Sequence, residues 1–178
     1  MPFEFAFLDW LYQFRNPVMN AISIFFDYAG AHGEIWIAFT LLLLLFRRTR
    51  RAGFAMAVAL VLYMAGGHFF LKPLFARPRP CDVNTAITIL VKRPHGHSFP
   101  SGHTASAFAA AFALWLQNRK LGVPALVLAA FIAFTRLYLY VHFPTDVLGG
   151  LVLGLALGFF ASWLVDSLAN KSKKKQSV

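Results

Sequence analysis

The stretch "PTDVLGGLVLGLALGFFASWLV", residues 144–165, runs for 22 residues with a single charge, Asp146, at its third position. At about 1.5 Å per residue, a hydrocarbon core roughly 30 Å thick needs about 20 residues of helix. The run therefore reads as a membrane span. Its opening proline suits the first helical position and puts Asp146 in the first turn.

The rest of the chain has the same character: 58% of the 178 residues are hydrophobic, 16% aromatic and only 13% charged, the last about half of what soluble domains carry. Residues 52–71 also reach spanning length outright. Residues 101–118 and 121–141 reach it only when their polar ends are included, which places polar groups at membrane depth. Residues 30–46 make a further, shorter span. Ahead of it, 3–14 and 18–28 are split by Asn16-Pro17, and their Phe, Trp and Tyr content suits short helices in the headgroup zone. The expectation is an all-α, polytopic transmembrane helix bundle of five spans, or six if 18–28 crosses as a thin or tilted helix. Residues 1–29 are expected as interfacial or re-entrant helices, 30–168 as the transmembrane domain and 169–178 as a basic cytoplasmic tail, with 171–178 disordered. No secretory signal is expected, because Glu4 and Asp9 interrupt the region that would carry one.

Charge gives the sidedness. Arg47, Arg48, Arg50, Arg51, Arg119, Lys120, Lys171, Lys173, Lys174 and Lys175 fall on one face if the spans alternate, and the positive-inside rule makes that face cytoplasmic. They account for ten of the seventeen cations behind the formal net charge of +10. Nucleic-acid binding is thereby set aside. Lys72, Arg77, Arg79, Lys92 and Arg93 lie on the opposite side, with Arg136 at the outer end of another span, and topology does not explain them. They call for an anion, and a fork of guanidinium donors beside an ammonium suits a phosphoryl group. Arg77, Lys92 and Arg93 are expected against lipid phosphates at the interface; Lys72, Arg79 and Arg136 are expected around a substrate.

Three clusters share that outer face: "KPLFARPRP" (72–80), "PSGHT" (100–104) and "TRLYLYVHFPTD" (135–146). In order and spacing they resemble the signature of the type-2 phosphatidic-acid phosphatase superfamily. Lys72, Arg79 and Pro80 fit its first block, Pro100, Ser101, Gly102 and His103 its second, and Arg136, His142 and Asp146 its third. Thr135 stands where the pattern has serine, with the hydroxyl retained.

The resemblance implies a lipid phosphatase with a phosphohistidine intermediate. His142 is the implied nucleophile, Asp146 its orienting carboxylate and His103 the acid for the leaving oxygen and later the base for water. Lys72, Arg79, Ser101, Gly102 and Arg136 are the implied phosphate-binding residues. The local pattern agrees, since a carboxylate in the first helical turn can reach an imidazole just before it and leave the other ring nitrogen free. A start at Ser101 puts the Gly102 and His103 N–H groups at a helix N-terminus, where anions bind. No cofactor and no metal are expected: of seven acidic residues only Asp82 and Asp146 fall near the proposed centre, and Mg²⁺ sites rely on carboxylates. The partners expected are a phosphorylated membrane lipid and the bilayer itself, with oligomeric state open. The place expected is the cytoplasmic (inner) membrane of a bacterium, with the site facing outside or into the periplasm and the C-terminus cytoplasmic. Undecaprenyl diphosphate is the preferred substrate by analogy with small bacterial members. Phosphatidylglycerophosphate, phosphatidate and a lipid A phosphate are the alternatives, and a non-catalytic phospholipid carrier is a further one.

Small residues recur every four positions at Gly150, Gly154 and Gly158 after Asp146, and at Ala105, Ala109 and Ala113 after Ser101. Such ridges let membrane helices approach closely and imply that Asp146 and Ser101 face protein. His68 reads as a hydrogen-bonded helix contact. His95 and His97 either line the entrance or belong to the loop, and His32 with Glu34 reads as interfacial. Cys81 is the sole cysteine, so an intramolecular disulfide is excluded; its place in the outer loop exposes it to thiol reagents unless the folded loop shields it.

Overall fold

The computed structural model describes residues 2–30 and 33–176, with side chains as far as Lys171. Among the described residues all regular structure is helical. The order is α1 (Pro2–Tyr12), α2 (Pro17–Ala29), α3 (Glu34–Leu45), α4 (Arg50–Leu62), a π-helical segment (Tyr63–Leu71), α5 (Lys72–Phe75), α6 (Pro80–Val83), α7 (Gly102–Gln117), α8 (Arg119–Tyr138) and α9 (Pro144–Gln176). The prolines at 17 and 144 both open helices, where their missing N–H has no intrahelical partner to lose. Asn16 caps α2 by accepting from the Met19 N–H at 2.9 Å, and Asn118 does the same for α8 through Leu121, which satisfies donors orphaned by the helix start.

Among the described residues three stretches are long and apolar enough to cross a membrane: Arg50–Val83, Arg119–Tyr138 and Pro144–Lys171. Counting the pair α2 and α3, bent at 62°, as one broken span raises the number to four. The expected five or six turn on two further places. Within residues 30–46 the helix described is α3, whose 12 residues make about 18 Å, and Gly33 before it takes a left-handed φ of 84°, which glycine adopts freely. Residues 101–118 yield a 16-residue α7, about 24 Å. The expected disordered tail is also corrected, because α9 continues as helix through Gln176.

α7 is the axis of the bundle, packed between α4, α8 and α9, with its alanines buried on every side. The two small-residue ridges face each other. A methyl group added at Gly154 would lie 2.7 Å from the Ala105 carbonyl oxygen, and one at Gly158 2.7 Å from that of Ala109. Only hydrogen at those positions permits the approach. In a bilayer, where burying apolar surface between helices gains little, such backbone-to-backbone packing is a main source of cohesion. At the upper end the contact becomes a hydrogen bond, Ser101 N–H to Asp146 C=O at 3.0 Å, which ties the start of α7 to the first turn of α9.

α1 lies over the α8–α9 connection, with Leu8 fully buried against Tyr140 and Phe143 and Phe5 edge-on to Phe143. The π-helical segment carries the chain from α4 to Lys72, whose N–H bonds the Gly67 carbonyl five residues back. Wide turns of this kind recur at functional sites.

Candidate active site

A cavity of about 570 Å³ opens among α2, α3, α4, the loop 84–101, α7 and the α8–α9 connection. Its lining includes Lys72, Arg79, Gly102, His103, Arg136 and His142, so three sequence clusters up to 70 residues apart converge. Ser101 and Asp146 sit just behind it, both fully buried. Ser101 Oγ faces inward and accepts from Thr104 at 3.0 Å. Gly102 is in the cavity wall, where an added methyl would meet the Tyr63 hydroxyl at 2.6 Å and Lys72 Nζ at 3.6 Å.

Two sides of the His142 ring have distinct partners. Arg79 Nη1 lies 3.1 Å from Nε2. A guanidinium can only donate, so Nε2 is an acceptor and the ring proton belongs on Nδ1. Nδ1 in turn lies 3.5 Å from Asp146 Oδ2 and 3.4 Å from Ser98 Oγ. Both partners therefore select one tautomer, with the Nε2 lone pair on the Arg79 side. Burial holds the imidazole well below its usual range, at about 3, with the Asp146 hydrogen bond opposing and Arg79 reinforcing that shift. The contact with Asp146 is thus between a neutral ring and a carboxylate.

Asp146 is itself closely held. Oδ2 accepts from the Phe143 N–H at 2.8 Å and from Ser98 Oγ, and Oδ1 from Arg77 Nη1 at 2.7 Å. Arg77 continues to Glu4 Oε2 at 2.7 Å. Arg77 was expected against lipid phosphates; with 16% of its side chain exposed and two carboxylates on its fork, it is an internal ion-pair residue instead. Arg79 also donates to the backbone carbonyls of Gly96, His97 and Val141, and Lys72 Nζ to that of His97 at 3.4 Å.

On the opposite wall Arg136 Nη1 meets Asp27 Oδ1 at 2.5 Å, while Nε and Nη2 donate to Thr135 Oγ1 at 3.2 and 2.9 Å. The threonine at the departing motif position thus supplies its hydroxyl as an acceptor. His103 Nε2 lies 3.3 Å from the Asp27 carbonyl oxygen, and since a carbonyl only accepts, Nε2 carries a proton there. His68, Lys92, Arg93 and His95 also line the cavity, Arg93 with Asp82 at 3.2 Å. His97 contributes through its carbonyl. His32 lies outside the described residues. Cys81 is 1% exposed, so the folded loop shields it from thiol reagents.

Glu4, Asp27 and Ser98 carried no site role in the sequence reading, and Arg77 carried a different one. Their side-chain partners are 44 to 141 residues away along the chain. The local signal available was acids in two largely apolar helices, Glu4 and Asp9 in α1 and Asp27 in α2.

Residues 48–169 match the PAP2 superfamily. The chain belongs to that superfamily, and it is a multi-pass membrane phosphatase, a hydrolase acting on phosphorylated lipid. It is 32% identical over 157 residues to the undecaprenyl-diphosphatase BcrC of Bacillus subtilis, covering 82% of this chain and 74% of the relative. It is 32% identical over 186 residues to a lipid A 4'-phosphatase of Bacteroides thetaiotaomicron, covering 89% and 80%. Among solved structures, that of Aquifex aeolicus LpxE superposes with a TM-score of 0.71 at 26% identity, covering 89% of this chain and 94% of the other.

Proposed function

We propose that this protein hydrolyses the terminal phosphate of a membrane lipid, undecaprenyl diphosphate in preference, through a phosphohistidine on His142 at the extracytoplasmic face of a bacterial inner membrane. The observation that carries the reading is the His142 ring, locked by Asp146 on one nitrogen and turned by the other toward a cavity holding Lys72, Arg79 and Arg136. In the first step the Nε2 lone pair attacks phosphorus, an N–P bond forms and the bond to the leaving oxygen breaks. His103 gives that oxygen a proton, exchanging the Asp27 carbonyl for the substrate. In the second step His103 takes a proton from water, whose oxygen attacks phosphorus, and inorganic phosphate leaves with His142 restored. Lys72, Arg79, Arg136 and the Gly102 and His103 N–H groups gather the equatorial oxygens, whose charge grows in the transition state. No metal is assigned a role.

The apolar side of the cavity supports a lipid substrate: Ile37, Leu60 and Met64 line it together with the cations. The name borne by the B. subtilis relative favours a polyprenyl diphosphate; the Bacteroides relative supports lipid A as the second reading. We also propose that α7 and the bent α2–α3 pair complete a bundle of five or six passes, with the basic clusters and C-terminus inside.

A panel of undecaprenyl diphosphate, phosphatidylglycerophosphate, phosphatidate and lipid A, offered to the purified enzyme in excess chelator, tests the reading. Expected are the highest kcat/KM for the polyprenyl diphosphate, and an acid-labile label on His142 that disappears in His142→Ala. Loss of all turnover on metal stripping, restored by Mg²⁺, would overturn the mechanism. Sidedness is read by Lys92→Cys in a Cys81→Ser background, where an impermeant thiol reagent should label intact cells. Labelling only after permeabilisation would reverse the topology.

A further inference from the structure

Behind His142, two carboxylates share one guanidinium. Arg77 donates from Nη1 to Asp146 Oδ1 and from Nη2 to Glu4 Oε2, both at 2.7 Å. Glu4 uses its other oxygen to accept from Thr145 Oγ1 at 2.6 Å, and that hydroxyl accepts from Arg77 Nη1 at 2.6 Å. The Arg77 guanidinium also lies over the Phe143 ring at 4.2 Å. Glu4 and Arg77 are 12% and 16% exposed at the side chain and Asp146 is fully buried. Screening by solvent is therefore weak.

The charge count decides the role. When Nε2 of His142 bonds to phosphorus the ring becomes cationic, and it needs negative charge at Nδ1. Asp146 alone would supply that charge, but Arg77 at 2.7 Å offsets it. Glu4 restores it: two carboxylates against one guanidinium leave a net negative charge behind the ring. In front, Lys72 and Arg79 are both positive, and among the described residues Asp146 is the carboxylate in contact with the ring. We propose that Glu4, acting through Arg77, is a positioning residue for phosphoryl transfer, one that leaves Asp146 free to stabilise the His142 cation and makes the N-terminal helix α1 part of the active site. The inference rests on His142 being the nucleophile.

Glu4→Gln removes the charge and keeps the shape. Its kcat on a lipid phosphate should fall about ten- to hundred-fold, by analogy with the loss of outer partners of metal-bound histidines, while KM and vanadate affinity stay within about twofold. Arg77→Lys, which keeps the charge but cannot bridge two carboxylates in a fork, should show the same split and serves if Glu4→Gln fails to fold. The decisive measurement is a double-mutant cycle with Asp146→Asn. If Glu4 works through Asp146, Glu4→Gln adds no further loss in the Asp146→Asn background. Multiplicative losses, or wild-type kcat in a folded Glu4→Gln, would overturn the proposal and leave the nucleophile assignment standing. Full activity in Asp146→Asn would overturn both.

Discussion

Asp27 Oδ1 sits 2.5 Å from Arg136 Nη1, so a carboxylate from α2 holds an arginine that the proposed reaction gives to phosphate. The same residue's carbonyl oxygen holds His103. One residue of α2 thus occupies, through backbone and side chain, the two groups that substrate has to recruit.

Replacing Asp27 by Asn should therefore destabilise the resting protein, because Arg136 is 1% exposed and breaking a buried pair typically costs about 3–5 kcal/mol. Vanadate should narrow the gap by giving Arg136 a new anion. Melting curves of the wild type and Asp27→Asn with and without vanadate measure this. An unchanged gap would place Arg136 outside the phosphate site.

Thr135 offers a sharper probe of the same arginine. Thr135→Ser keeps the oxygen that accepts from Nε and Nη2 and should retain near-wild-type kcat/KM. Thr135→Val keeps the volume, strands two buried donors at about 1–3 kcal/mol for an unmet group, and should lose about ten-fold or more. Equal activities in the two variants would show that the hydroxyl does not orient Arg136.

The division of labour between the histidines predicts a leaving-group effect. His103→Ala should turn over lipid phosphates about 10²- to 10⁴-fold more slowly. An aryl phosphate, whose leaving oxygen needs no proton, should still label His142 far more readily, and the label should persist because its hydrolysis has lost the base. Rapid-quench labelling distinguishes this from equal loss on both substrates, which would leave His103 a phosphate-holding group only.

That variant also isolates the titration of His142. Protonation would block the Nε2 lone pair; burial lowers the ring to about 3, so the reactive form persists well into acid. After correction for the aryl phosphate's own ionisation, labelling of His103→Ala should change by less than about twofold between pH 7.5 and 5. A ring titrating at an ordinary value near 6.5 would lose about thirtyfold over the same interval. The rate measured at the two ends decides.

The elements most legible in the sequence were those fixed by local rules. Pro144 opens α9, and the four-residue repeats at Gly150 and Ala105 do pack on each other. The motif residues Lys72, Arg79, His103, Arg136 and His142 meet in one cavity. Hidden were the contacts made across the fold. Arg77 looks from its loop position like a lipid anchor, because its partner Glu4 lies 73 residues upstream and nothing local marks it. The apolar run 52–71 reads as uniform helix, yet the stretch Tyr63–Leu71 is π-helical, a change of hydrogen-bond register to which hydropathy is blind. Residues 30–46 read as one span by composition, while the helix described there, α3, begins only after Gly33.

The glycine–alanine seam between α7 and α9 divides the molecule into parts with separate evolutionary latitude. With backbones in contact and Ser101 bonded to Asp146, a bulkier residue anywhere along the seam displaces His103 relative to His142. That block tolerates little drift. The walls formed by α2 and α3 meet the same cavity through Tyr28 and Ile37 without belonging to the seam, so these positions, unlike Asp27 with its hold on Arg136 and His103, are free to be recut for a differently shaped lipid. Exchanging the cavity-facing positions of those two helices between superfamily members, with Asp27 kept, is accordingly the way to exchange substrates while keeping one hydrolytic engine.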